Sequence, residues 1–298
     1  MMYSIETRLS TILHVLAAML LLGAVAIAQM ATNTHAPAVA ISSLSPALAA
    51  PGSSTLITGS SFTGATPVSF GGQPAVFQVD SATQITAIVP LAATTGMVEV
   101  TTPSGTAASS QPFAVIAKTW DAVQNFSTAS NPAGAWSYGW APALDGTFSL
   151  LSTNQDCPDA STACWQNGLK FPDQAFLAKS LSPFSTIYTT VIVPGNVLYF
   201  GAQGNAVIAR WTAPSAGDYL ITGYFQGIDT RLAPLSVAIL ENGATSLFTD
   251  TFTYYGQTKN FALKTSLAAG TTIDFEVAYT DDDSNDNVGV AADINLLQ

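Results

Sequence analysis

Apolar and polar positions alternate with a period of two through much of this chain, a pattern that predicts β-strands rather than helices. Ile273, Phe275, Val277 and Tyr279 fall on one strand face, while Asp274 and Glu276 fall on the other. Tyr219, Ile221 and Phe225 alternate in the same way, as do Phe261, Leu263 and Leu267. Between the runs stand Pro194-Gly195, Ala216-Gly217, Asn242-Gly243 and Ala269-Gly270, residues that tolerate tight-turn dihedrals, with Asn-Gly a strong hairpin signal. Residues 37–115 carry shorter β-branched runs broken by Gly, Pro and Ser. They predict seven strands, at residues 38–44, 54–59, 67–70, 75–79, 84–89, 96–101 and 111–116. The remainder is expected to hold roughly nine or ten strands, too many for an immunoglobulin domain and commonly solved as a jelly roll.

One apolar run breaks the pattern. Residues 12–27 are apolar apart from His14, Arg8 precedes them, and Ala26 and Ala28 offer the small residues of a signal-peptidase site. Residues 1–28 therefore read as an export signal cleaved after Ala28; the run is shorter than the ~20 residues a membrane anchor prefers. No other stretch approaches that length, so the mature chain is expected to lack a membrane span and to work outside the cytoplasm. The expected divisions are a linker at 29–36, a first domain at 37–116 and a second at 117–298.

Composition narrows the chemistry. Only 9% of residues are charged and the net charge is -11. With Lys and Arg scattered singly there is no basic stripe for nucleic acid, and no nucleic-acid partner is expected. Of two histidines, His14 falls in the signal and His35 in the linker, so no Ser-His-Asp or Cys-His site can be assembled in either domain. Cys157 and Cys164 lie in a polar, loop-like stretch, and an oxidising compartment would pair them.

The first domain carries a resemblance. Ser45-Pro46, Pro51-Gly52, Ile57-Thr58-Gly59 with Phe62, Phe70-Gly71-Gly72, Gln84-Ile85-Thr86 and Pro90, and the closing stretch VEVTTPSGTAASSQPFAV are similar to the IPT/TIG family. The resemblance implies an immunoglobulin-like sandwich acting as a spacer or binding module without a catalytic site. Between Pro37 and Val115 the charged side chains are Asp80 and Glu99 alone, so acid/base or metal chemistry has little material there. In the second domain, ARWTAPSAGDYLITGYFQGID, ILENGATSLF and LAAGTTIDFEVAY resemble the strands of carbohydrate-binding-module jelly rolls. That likeness implies an extracellular setting and a sugar ligand. The fold expected is thus all-β, an immunoglobulin-like IPT/TIG sandwich followed by a larger jelly-roll-like β-sandwich.

Candidate site residues follow from residue type and spacing. Trp136, Tyr138 and Trp140 stand at i, i+2 and i+4, which puts them on one strand face, either as a platform that stacks on sugar rings or as core. Trp165, beside the cysteines, is a second candidate on the same grounds, whereas Trp120 and Trp211 read as core. The acidic run Asp281, Asp282, Asp283 and Asp286 has the oxygen ligands for a structural Ca2+, with Asp121 or Asp293 as helpers. It is not an EF-hand, because Asp286 stands where Gly is needed and Ala292 where the bidentate Glu belongs. Asp274 and Glu276, about 7 Å apart on a strand face, have the separation of an inverting glycosidase, but read more simply as the solvent side of a half-buried strand. The function expected is a secreted, non-catalytic protein whose second domain binds an extracellular glycan or surface polymer. A structural or adhesive protein that contacts other proteins is the alternative, and a carbohydrate-active enzyme the third.

Overall fold

The computed structural model describes residues 37–144, 146–169, 174–201, 205–232, 234–279 and 287–298, the Tyr279 side chain excepted. The described residues are all-β, with no helix among them. They divide into two compact units: one ends at Ala47 and resumes over Gly52–Ala92 and Gly96–Phe113, and the other comprises Leu48–Pro51, Ala93–Thr95 and Ala114–Gln298. The boundary expected after residue 116 falls inside a continuous strand, Ala114–Asp121.

In the first unit, β1 (Ala40–Ser45), β3 (Ser54–Ser60), β6 (Val76–Ser81) and β7 (Gln84–Ile88) form one sheet in the order β1-β3-β7-β6. A second sheet runs β5-β4-β8-β9, from β4 (Val68–Phe70), β5 (Gln73–Pro74), β8 (Val98–Thr102) and β9 (Gly105–Ala108). The short β2 (Leu48–Ala49) belongs to the other unit. Alternate residues Ile57, Ile85, Ala87, Val68, Phe70, Val98 and Val100 are all buried, as a sandwich with one inward face per sheet requires. Gly59 explains part of the sequence motif physically: a Cβ there would strike the Ala40 carbonyl and the ring of buried Phe62. The pair Gly59 and Phe62 is therefore a single packing unit.

The second unit has fifteen further strands. They are β10 (Ala114–Asp121), β11 (Trp136–Ala141), β12 (Ser149–Leu150), β13 (Thr162–Gln166), β14 (Phe176–Ser180), β15 (Phe184–Ile187), β16 (Val191–Pro194) and β17 (Leu198–Gly201). There follow β18 (Ala206–Thr212), β19 (Gly217–Gly227), β20 (Leu235–Glu241), β21 (Thr245–Phe252), β22 (Thr258–Leu267), β23 (Thr272–Tyr279) and β24 (Asn287–Leu297). One sheet is ordered β12-β11-β18-β23-β20-β21. The other is organised on β24, whose eleven residues pair β19 along one side while β17 and β10 share the opposite side, β17 at Asn287 to Val290 and β10 at Asp293 to Leu297. Between the sheets lies a core that includes Trp120, Tyr219, Ile221, Phe225 and Ile294 from one side and Trp136, Tyr138, Trp211, Val237 and Phe275 from the other. A separate hairpin, β15-β16, covers a smaller cluster containing Phe176, Tyr199 and Cys164.

Cys157 and Cys164 are bonded, with Cα atoms 5.5 Å apart. The bond closes a short loop onto β13, a strand that the polar sequence around it had concealed.

Candidate functional site

The aromatic row expected on β11 points inward. Trp136 is 1% exposed and Tyr138 fully buried, while Trp140 is half-buried against the same core. The opposite face of β11 is covered too: Ala141 packs with Ala206, Ile208, Leu144 and Phe148, and the Phe148 ring occupies the space a Cβ on Gly139 would need. With both faces covered, the alternation gave no flat platform. Trp165 is likewise buried, and its Nε1 donates to the Ser127 carbonyl at 2.8 Å. Burial raises the Tyr138 hydroxyl far above its ordinary pKa, with the Ser127 backbone offsetting a little of the rise.

Asp274 and Glu276 are also corrected. Both are buried rather than on the solvent side. Arg210, the register partner of Asp274 across β18 and β23, donates to it bidentately, Nε to Oδ1 and Nη2 to Oδ2, both at 2.7 Å. The guanidinium lies 3.9 Å from the Phe148 ring centroid, so the ion pair is roofed by an aromatic side chain from the loop before β12. This is a structural pair, and Asp274 has no open side from which to attack a substrate bond.

What remains of the aromatic expectation lies at one end of the sandwich. Trp120, on β10, meets Trp211 edge-on at 5.3 Å and Tyr219 at 6.2 Å, and Trp211 is the register partner of Trp136. A cleft of about 730 Å3 opens there, lined by residues including Lys118, Trp120, Asn125, Trp136 and Thr212. Lys118 Nζ sits 4.8 Å from the Trp120 ring centroid, while Lys118 and Asn125 are exposed at the rim. The Nε1 atoms of Trp136 and Trp211 make no hydrogen bond among the described residues, and a buried donor left so costs about 1–3 kcal/mol. Trp120 lies in the core where the sequence had placed it, but the sequence gave no sign of Lys118, Asn125 or Thr212. Those residues come from separate elements and converge only on folding.

The acidic helpers come together, but with each other. Asp121 and Asp293 are register partners on β10 and β24. They line a cleft of about 250 Å3 with Gln124, Asn196, Thr222 and Tyr224, at the point where β17 and β10 part along β24. Asp121 Oδ1 accepts from the Val123 and Gln124 amides at 2.8 and 2.9 Å. Partial desolvation, and after it the Asp121 charge, hold the Asp293 carboxyl above its ordinary range. Asp281, Asp282, Asp283 and Asp286 lie outside the described residues. Among the described residues no group of three or more His, Cys, Asp or Glu could hold a metal ion.

The comparisons with known proteins bear on the first unit. Residues 39–115 match the IPT/TIG domain family. The IPT/TIG match spans the immunoglobulin-like sandwich and ends at Val115, within β10. No curated protein matches the chain. Among solved structures, SGBP-B from a complex xyloglucan utilization locus in Bacteroides uniformis is 13% identical, over 87% of this chain and 72% of its own, with a TM-score of 0.32. A family 35 carbohydrate binding module from Clostridium thermocellum is 14% identical over 45% of this chain and 98% of its own, at 0.24. Pika GITRL is 24% identical over 30% of this chain and 77% of its own, at 0.23. Overlaps this loose identify no ligand. Among the described residues no helix is long and apolar enough to cross a membrane.

Proposed function

We propose that the protein is an exported, non-catalytic glycan-binding protein, with the IPT/TIG domain as spacer and the ligand seated in the Trp120–Trp136 cleft. The observation that carries this reading is the composition of the cleft, in which the ammonium of Lys118, the amide of Asn125 and the hydroxyl of Thr212 surround a lining that includes the nearly buried indoles of Trp120 and Trp136. Sugar rings present apolar CH faces and a rim of hydroxyls, and a concave, partly apolar site with a few polar groups suits them. Export is supported by the reading of residues 1–28 and by the closed disulfide, which fits an oxidising compartment. A non-catalytic role is supported by the absence of His from residues 36–298 and by the engagement of Asp274 with Arg210.

Electrophoresis of the mature protein through gels containing soluble polysaccharides tests this. At least one neutral polysaccharide should retard it, and Lys118→Ala with Asn125→Ala should restore mobility at an unchanged melting temperature. Unretarded migration through every polysaccharide would sink the reading. A protein-binding role is favoured by one observation, the exposure of Leu181 and Phe184 at the β15–β16 hairpin, and would then become the working alternative.

A further inference from the structure

The outward-facing aromatic side chains of the second unit are not on β11. Tyr254 and Tyr255, 61% and 44% exposed, lie between β21 and β22, and Tyr188, 57% exposed, lies at the turn between β15 and β16. The two turns are fastened to the same short segment, which runs from the last residue of β19 to Thr230. Gly256 N donates to the Gly227 carbonyl and Gly227 N to the Gln257 carbonyl, both at 2.9 Å. Thr230 N donates to the Thr190 carbonyl and Ile192 N to the Ile228 carbonyl, again at 2.9 Å. Gly227 and Thr230 are three residues apart, a span of no more than about 10 Å.

That segment is held from within. Asp229 is buried, and its Oδ1 accepts from the Arg231 amide at 2.9 Å while its Oδ2 accepts from Asn287 Nδ2 at 2.7 Å. Asn287 Oδ1 in turn accepts from the Tyr199 hydroxyl at 2.8 Å. Arg231 itself is exposed, and its guanidinium reaches Thr190 Oγ1 at 3.3 Å, beside the turn that carries Tyr188. A fixed bracket thus presents three phenol rings and a fork of N–H donors. Tyrosine suits such a surface because it offers a wide rigid ring at the cost of ordering two torsions.

We propose that this bracket is a second contact surface for a neutral pyranose chain, with Tyr188, Tyr254 and Tyr255 against the CH faces and Arg231 donating to ring hydroxyls. It rests on the glycan-binding reading but is separate from the first cleft. Tyr219 packs on Trp120 at the cleft, and Gly227 lies eight residues further along β19, about 27 Å of strand. The net charge of -11 disfavours phosphorylated, sulfated or carboxylated chains, which leaves neutral ones.

The test uses the whole mature protein on neutral soluble polysaccharides, with Tyr188→Ala/Tyr254→Ala/Tyr255→Ala and the corresponding triple Phe variant. The Ala variant should lose about tenfold in affinity at an unchanged melting temperature, because the three rings are exposed. The Phe variant keeps the rings and should bind like the wild type; weakening as large as that of the Ala variant would overturn the stacking role, and should the triple Ala variant fold poorly, Tyr254→Ala alone is compared with Tyr254→Phe in its place. Arg231→Gln should give a smaller loss. Wild-type affinity in a folded Ala variant overturns this inference and leaves the cleft reading intact. Failure of the wild type to bind any polysaccharide overturns both.

Discussion

At the scale of single residues, some charges meet a partner of opposite sign, and one carboxylate faces another. Arg210 and Asp274 satisfy each other inside the second unit, and Lys259 pairs with Asp250 at 2.8 Å on its surface. Asp293 has no such cation among the described residues; its register partner is another carboxylate. Desolvation and the Asp121 charge raise its pKa in the folded state, so the fold binds that proton more tightly than the unfolded chain does. The stabilisation from the proton is complete below the unfolded value, roughly pH 4, and is lost as pH rises through the raised folded value. At neutral pH the ionised Asp293 is therefore a destabilising group. Asp293→Asn should raise the melting temperature at pH 7, and the difference from wild type should disappear at the acidic end of a pH series. An equal or lower melting temperature for the variant at pH 7 would show that Asp121 and Asp293 do not repel in the folded protein.

At the scale of elements, the strands were legible where side chains alternate cleanly. Ile273 and Phe275 point into the core, as do Tyr219, Ile221 and Phe225, and the Asn242-Gly243 turn joins β20 to β21. Strands without apolar alternation were hidden: β9 reads Gly-Thr-Ala-Ala, and β13 lies in the cysteine-bearing stretch. The aromatic row on β11 was ambiguous for a physical reason. Period two assigns residues to a face but does not say whether the face meets water or another sheet, and here the opposing sheet closes the core over it with residues that include Trp120, Tyr219 and Phe225. Gly139, on the other face of β11, shows how closely that face is covered. An added methyl would meet the Phe148 ring and the Ser149 carbonyl oxygen, displacing the aromatic roof from Arg210. Gly139→Ala should cost about 1–3 kcal/mol, the usual range for overpacking, measured by urea unfolding. No loss would mean that the loop carrying Phe148 moves aside freely.

At the scale of the whole chain, the two-part organisation was legible from composition and motif, but the seam was not, because the seam is not a break in strand pattern. β10 runs unbroken from Ala114 to Asp121, and its first residues belong with the second unit. Ala114 and Val115 pair in parallel with Leu48 and Ala49 of β2, Ile116 stands opposite Leu297, and the Gln298 amide donates to the Val115 carbonyl at 2.8 Å. The Gln298 carbonyl in turn accepts from the Thr95 amide at 2.7 Å, so residues far apart in sequence complete one edge of the sheet. A fragment begun at residue 117, the boundary that sequence alone suggests, removes three residues of β10 and leaves the end of β24 without its partner. A fragment begun at residue 114 keeps those contacts but lacks β2 and Thr95. The melting temperature of the second unit should therefore fall in steps, highest in the full mature chain, lower from residue 114 and lowest from residue 117. Scanning calorimetry of the three proteins measures it. If the two fragments melt together, the first three residues of β10 contribute nothing to the second unit and its true start is the one read from the sequence.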